Sequence, residues 1–274
     1  MRKGADSMPD DDVPLSARGA TVHGVYDVMR GGDQHERADR ELARAIEGEF
    51  PQVPVHVRAA SDFDLRVTRW CAGRGINRFI RAGAVTWQPD GRNVHDAARE
   101  ADPGAQVVYV NSDAEAHDWA VTLLACDPGV SAVHEPVERT AEVLAAPAVA
   151  ALLAPREPVC LIIGMVLHFA PANRAEARVC AFATALPPGS VLAVSLSLPD
   201  HSPRADRLLA MYTPAEMYRH TAKDVTAWME GAGLELVPPG VCDVRVPLRG
   251  KAWDPGQHPH VAPGMTVGAV GLAR

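Results

Sequence analysis

Gln106-Val107-Val108-Tyr109-Val110 is an unbroken apolar run of strand length, and a helix-like segment follows it at 114–125. An uninterrupted run, instead of an alternating one, marks a strand covered on both faces. Cys160-Leu161-Ile162-Ile163-Gly164 has the same character, and further apolar runs lie at 78–85, 130–133, 159–167 and 191–198. Helix-like segments at 94–100, 140–153 and 173–185 separate them. Strands alternating with helices require right-handed crossovers and a mostly parallel sheet with helices on both sides. The fold class is therefore α/β.

Outward from this core, 38–50 places Leu42, Ala45, Ile46 and Phe50 on one helical face, and 55–71 does the same with Ala59, Phe63, Val67 and Trp70. Toward the other end, Thr221-x-x-Asp224 reads as a capping box opening a helix through Trp228 and Met229. Gly231 and Gly233 are suitable stops, 234–237 reads as a strand, and 265–272 as a last, antiparallel one. The expected organisation is a flexible polar tail at 1–20 and one domain over 21–274, with a helical lid region at 21–75 and an α/β core at 76–274. No internal repeat is visible.

The composition, 47% hydrophobic and 22% charged over 274 residues, suits one large core. A net charge of -7 argues against a nucleic-acid partner, which needs clustered Lys and Arg. There is no apolar run near the roughly 18 residues a membrane span requires. The polar opening segment, with Asp10-Asp11-Asp12, lacks the apolar centre of a signal peptide. Five cysteines (Cys71, Cys126, Cys160, Cys180 and Cys242), odd in number and without paired spacing, read as reduced thiols of a cytoplasmic protein.

In open α/β sheets, ligands sit beyond the carboxyl ends of the strands. That points to the loops after Ile80, Val110, Val133 and Val166, where the sequence resembles an actinobacterial family of S-adenosylmethionine (SAM) methyltransferase-like proteins. The resemblance rests on five motifs in order. Val25-Tyr26-Asp27-Val28-Met29-Arg30-Gly31-Gly32-Asp33 is similar to the family's Tyr-Asp-x-x-x-Gly-Gly signature, and Ala38-Asp39-Arg40-Glu41 follows it. Asn93-Val94-His95-Asp96, Val166-Leu167-His168-Phe169 and Gly268-Ala269-Val270-Gly271 resemble its later motifs. The resemblance implies a Rossmann-like class I methyltransferase fold with a mostly parallel seven-stranded sheet and an N-terminal helical lid. It implies SAM as cofactor, no metal and a small-molecule substrate. It also places Tyr26, Asp27, Arg30, Gly31, Gly32 and Asp33, in a glycine-containing turn, over the pocket.

The departures from the family fall at the cofactor. Its first strand ends in Asp-x-Gly-x-Gly, whereas this chain has Arg81-Ala82-Gly83-Ala84-Val85. Arg81 replaces the acid, and Val85 puts a β-branched side chain where a glycine allows close approach. Trp87 adds an indole just beyond. The ribose-binding acid after the second strand is Asn111, followed by Ser112 and Asp113, and the adenine-binding acid becomes Pro136, beside Glu135. Asn keeps one acceptor but loses the charge, and proline has neither a side-chain acceptor nor a backbone donor. At roughly 1.5–3 kcal/mol for each charge-assisted bond, two losses weaken binding by about two to four decades.

The catalytic candidates are His168, at the ligand-binding edge as a general base or hydrogen-bond donor, with Tyr26 and Asp27 from the lid. The cofactor-side candidates are Arg30, Gly31, Gly32, Arg81, Gly83, Ala84, Asn111, Ser112, Glu135, Pro136 and Val166. Each has a plainer reading: the signature turn docks the lid, His168 caps strand-end carbonyls, and Arg81 either binds an anion or pairs with Asp113 or Asp27. His95 reads as structural, and Tyr218, Arg219 and His220 as a solvated turn before the capped helix. His258-Pro-His260 is too sparse for a metal site. The reading is a methyltransferase-family protein acting on a small molecule, an anionic one if Arg81 faces it, in specialised, natural-product metabolism. The alternatives are a SAM-independent cyclase or rearrangement enzyme in the old pocket, and a non-catalytic partner in a homo-oligomer or a heteromer with an intact paralogue.

Overall fold

The structure, a computed structural model, describes residues 19–88, 92–124, 127–245 and 266–274. Most of the polar tail, Cys126 and the His258-Pro-His260 stretch lie outside the described residues. Five parallel strands form the sheet's main body: β1 (Arg78–Gly83), β2 (Gln106–Asn111), β3 (Val130–His134), β4 (Cys160–Gly164) and β5 (Val191–Ser197). Two further strands, β6 (Leu234–Leu236) and β7 (Cys242–Asp243), both pair with β8 (Thr266–Ala273). The last strand, β8, runs antiparallel beside β5, and the order is β3-β2-β1-β4-β5-β8-β6. The sheet thus has eight strands instead of the seven expected, because the two-residue β7 adds itself to β8.

Helices flank the sheet on both faces. Three precede it, α1 (Val22–Arg30), α2 (Arg37–Glu49) and α3 (Gln52–Ala72). Between the strands lie α4 (Val94–Arg99), α5 (Ala114–Leu124), α6 (Thr140–Ala145), α7 (Pro147–Leu153) and α8 (Ala172–Ala185), followed by α9 (Pro203–Met211) and α10 (Ala222–Gly231). Side chains alternate across a strand. Phe79, Val107, Tyr109, Cys160 and Ile162 pack with Phe63 and Val67 of α3, while Ile80, Val108, Leu161 and Ile163 pack with Phe182 of α8 and Trp228 of α10. Arg81 shares the parity of Phe79, and it therefore meets α3.

Local sequence explains the remaining differences from expectation. The segment 140–153 is two helices, because a residue before proline is driven out of the helical region and Ala146 is extended at ψ 132. The lid signature is a helix, α1, and the turn begins only at Gly31, whose φ of 87 favours glycine. Helix α9 has Ser202 as its cap and Pro203 at its first position, a start signal that its weak apolar pattern obscured. On α2 the inward residues are Ala43, Ile46 and Phe50, with Ala45 exposed. Among the described residues, no helix is long and apolar enough to cross a membrane.

One buried carboxylate organises the lid. Asp39 accepts hydrogen bonds from the Thr21 amide at 2.7 Å and the Glu36 amide at 2.8 Å, so it caps the starts of α1 and α2 together. Asp39→Ala strands both donors, and the expected loss is about 2–4 kcal/mol of unfolding free energy. Urea denaturation of the two proteins checks this.

Candidate functional site

Arg81 ends up across the carboxyl ends of β1 and β4, where ligands of such sheets sit. It is buried, and its Nε donates to Asp64 Oδ2 on α3 at 2.7 Å. The other guanidinium nitrogens donate to the carbonyls of Ala82 at 2.6 Å and Ala84 at 3.2 Å. Gly164, facing it on β4, leaves the space: a Cβ there would stand 2.6 Å from Arg81 Nη2. The partner is therefore neither Asp113 nor Asp27, the two acids expected from the sequence. Asp64 was not anticipated, although its position between Ala60, Val67 and Cys71 on the inward face of α3 signals a buried charge in need of a partner. Burial pushes the Asp64 carboxyl up from its ordinary value, and the Arg81 guanidinium opposes that push.

On the β2 side, Asn111 is fully engaged. Its amide nitrogen donates to the Val85 carbonyl at 3.1 Å and lies 3.3 Å from His23 Nδ1, while its oxygen accepts from the Asp113 amide at 3.1 Å. Val85, Trp87, Asn111 and His117 surround a void of about 20 Å³, room for roughly one water molecule. Trp87 stacks on His95 with centroids 4.9 Å apart, and His95 Nδ1 meets the Tyr109 hydroxyl at 2.8 Å. Ser112 is exposed, and its carbonyl meets His134 Nε2 at 3.2 Å. Glu135 uses its amide on the Asn111 carbonyl and faces Arg139, and the Pro136 carbonyl receives the Arg139 amide.

The large cavity lies on the other side, toward β4 and β5. A mostly apolar cleft of about 600 Å³ opens between the lid and α9, within the usual size range for small-ligand sites. Tyr26, Phe50, His56, Ala84, His168 and Tyr212 contribute to its wall. Met165 also lines it, with a left-handed φ of 57 that is costly for a side-chain-bearing residue. Phe169 stacks on Tyr212 at 5.7 Å, joining the strand end to α9.

Of the catalytic candidates, His168 and Tyr26 reach this cleft and Asp27 does not. Asp27 is buried, accepts from the Gln34 amide at 2.7 Å, and contacts His35 Nδ1 at 2.8 Å. Gly32 packs directly against that carboxylate, which leaves no room for a side chain. Arg30 straps the lid to the loop after β1, donating to the Thr86 carbonyl at 2.8 Å and hydroxyl at 2.6 Å. Gly83, with a φ of 118, packs against Val166, so these two shape the strand ends. Among the other residues singled out, Tyr218 and Arg219 pair on the surface with Glu216 and Asp206, and His220 is buried with Nε2 3.0 Å from the Ala170 carbonyl. No group of three or more metal-ligating side chains occurs among the described residues.

His168 has a defined protonation state. The Ser197 amide donates to its Nδ1 at 3.4 Å, so the ring proton resides on Nε2. Burial, with His220 close by, pushes its pKa down to about 3. The imidazole is thus neutral throughout the physiological range. The Tyr26 phenol is likewise held protonated, because burial raises its pKa against Arg30 and Arg81.

Fold, strand order and cleft define a class I methyltransferase domain. The chain belongs to the S-adenosyl methyltransferase family, which it matches over residues 8–274. Among solved structures, it is similar to a candidate methyltransferase from Thermobifida fusca at 24% identity and a TM-score of 0.82, covering 93% of this chain and 96% of that one. A DUF574 family protein from Streptomyces avermitilis is 28% identical with a TM-score of 0.81, covering 93% and 98%. The fold also resembles that of magnesium protoporphyrin IX methyltransferase from Synechocystis with bound SAH, at 11% identity, a TM-score of 0.51 and coverage of 91% and 93%. Nothing among the curated proteins matches the chain.

The state of His168 carries a pH signature. Its folded pKa lies below the unfolded value of 6.5, so the unfolded chain binds more protons between the two. The stability it supports is complete above pH 6.5 and declines as the pH falls. Relative to His168→Leu, the wild type should lose about 2 kcal/mol more between pH 7 and pH 5. Urea titrations of both proteins at the two pH values measure this difference, and equal losses contradict the assignment.

Proposed function

We propose that this protein is an enzyme of specialised metabolism that acts on a small, largely apolar molecule in the 600 Å³ cleft without holding SAM in the usual pose. The observation that carries the reading is the buried Arg81–Asp64 pair, which occupies the strand ends and ties up the loop carbonyls there. The ribose and adenine positions point the same way. Asn111 spends both ends of its amide inside the protein, Pro136 offers no donor, and the adjoining void holds roughly one water. The residues present do not suit the nucleoside of SAM, and no step is assigned to it.

The cleft's own polar groups suit a different task. His168 donates through Nε2, and the protonated Tyr26 phenol lies in the same wall. Two neutral donors in an apolar cavity favour polarising a carbonyl or stabilising an enolate-like oxygen, the kind of assistance a cyclisation or rearrangement needs. Arg81 itself is committed to Asp64 and is not the group that would receive an anionic substrate. The enzyme reading is also favoured over that of a non-catalytic partner, since the exposed large hydrophobic residues among those described are only Val55 and Val121.

Isothermal titration with SAM and S-adenosylhomocysteine tests the proposal. The expected result is no saturable heat at millimolar ligand, and micromolar binding of either would falsify it.

A further inference from the structure

His56, near the start of α3, lines the same cleft as Tyr26 and His168. It lies about two turns before Asp64 on the buried face of that helix. The side chain is 7% exposed, and neither ring nitrogen has a hydrogen-bond partner among the described residues. Nδ1 is also shut off from solvent. Buried polar atoms in native proteins normally have partners, so an imidazole left free in a cavity wall calls for a use. We infer that His56 is the general base of the cleft, acting on a largely apolar carbonyl compound with an acidic α-C–H. This role rests on the cleft being the site of an enzyme, as proposed above, and it names the class of the substrate.

The groups already placed in the wall donate protons and do not accept them at neutral pH. His168 Nδ1 is taken by the Ser197 amide, and the Tyr26 phenol keeps its proton. Burial raises the pKa of Tyr212 as well. Asp200 accepts from the Ser202 hydroxyl and amide, which hold its carboxyl below the ordinary value and make it a weak base. The remaining charged lining residues are arginines. Arg204 donates to Gln52 Oε1 at 3.1 Å and lies over the Phe50 ring, while Arg245 pairs with Asp243.

His56 differs from all of these. With both nitrogens free it takes either tautomer, and it can turn a lone pair toward a ligand. Burial, and after it Arg245, lower its pKa, with Asp243 opposing them. The imidazole is therefore neutral and able to accept a proton near pH 7. In the step, the substrate's α-C–H bond breaks, the proton forms an N–H bond on His56, and the electron pair moves onto the carbonyl oxygen. The enolate receives hydrogen bonds from His168 Nε2 and the Tyr26 hydroxyl. Return of the proton from His56 to a different carbon completes an isomerisation, with no other reactant consumed.

A stable mimic of the enol is para-nitrophenol, whose phenolate alone absorbs strongly in the visible. Titration of the full chain with it at pH 6, beside para-nitrotoluene of the same shape and no hydroxyl, tests the role. The wild type should saturate and raise the phenolate absorbance about threefold or more over the free phenol, equivalent to a fall of about half a unit in the bound phenol's pKa. His56→Gln should bind para-nitrophenol by calorimetry without that rise, and melting curves verify that the variant is folded. Binding to the wild type as the neutral phenol, or a phenolate band retained in His56→Gln, overturns the role of His56 and leaves the reading of the cleft standing. Failure of both aromatic probes to bind overturns the role together with that reading.

Discussion

The ion pair between Arg81 and Asp64 is the constraint on which the site depends. Isolated charges inside a protein are costly, and breaking one partner of a buried pair costs about 3–5 kcal/mol because the other is left uncompensated. Once β1 carries Arg81 on its α3-facing side, α3 must supply an acid, Gly164 must lack a side chain, and the β1 loop must turn its carbonyls inward. These accommodations lie on three separate elements. Together they make one self-consistent arrangement around a single buried cation.

The lid is built by the same logic of satisfied buried charge. Asp39 joins the starts of α1 and α2, Asp27 closes the turn that carries Gly32 and His35, and Arg30 fastens α1 to Thr86. Of the signature residues, Asp27 and Arg30 therefore hold the lid, while Tyr26 faces the cavity. The lid residues lining the cleft include Tyr26, Met29, Phe50 and His56. The cleft is mostly apolar, with Asp200, Arg204 and Arg245 among its charged lining residues.

The α/β fold could be read from Gln106–Val110 and Cys160–Gly164, because strands buried on both faces leave unmistakable apolar runs. The capped α10 and the antiparallel last strand were equally legible, from Thr221 and Asp224 and from the run at 265–272. The two-residue β7 was not, since it is defined by its pairing with β8 and carries no pattern of its own. Motif and strand end pointed to Tyr26 and His168, and both line the large cleft. Arg81's partner could not, because nothing in a one-dimensional pattern links residue 64 to residue 81 until the helix is laid on the sheet. Asp27 misled for a related reason: a carboxylate beside glycines suggests a ligand contact, but here the glycine makes room for the carboxylate itself.

The chain thus has the family's fold and carries a buried Arg81–Asp64 pair at its strand ends. A crystal structure of the protein grown with saturating S-adenosylhomocysteine tests this most directly. The account predicts that Arg81 stays on Asp64 and that no nucleoside occupies the space between Asn111 and Pro136. A nucleoside bound there, with the Arg81 guanidinium displaced from Asp64, would contradict it.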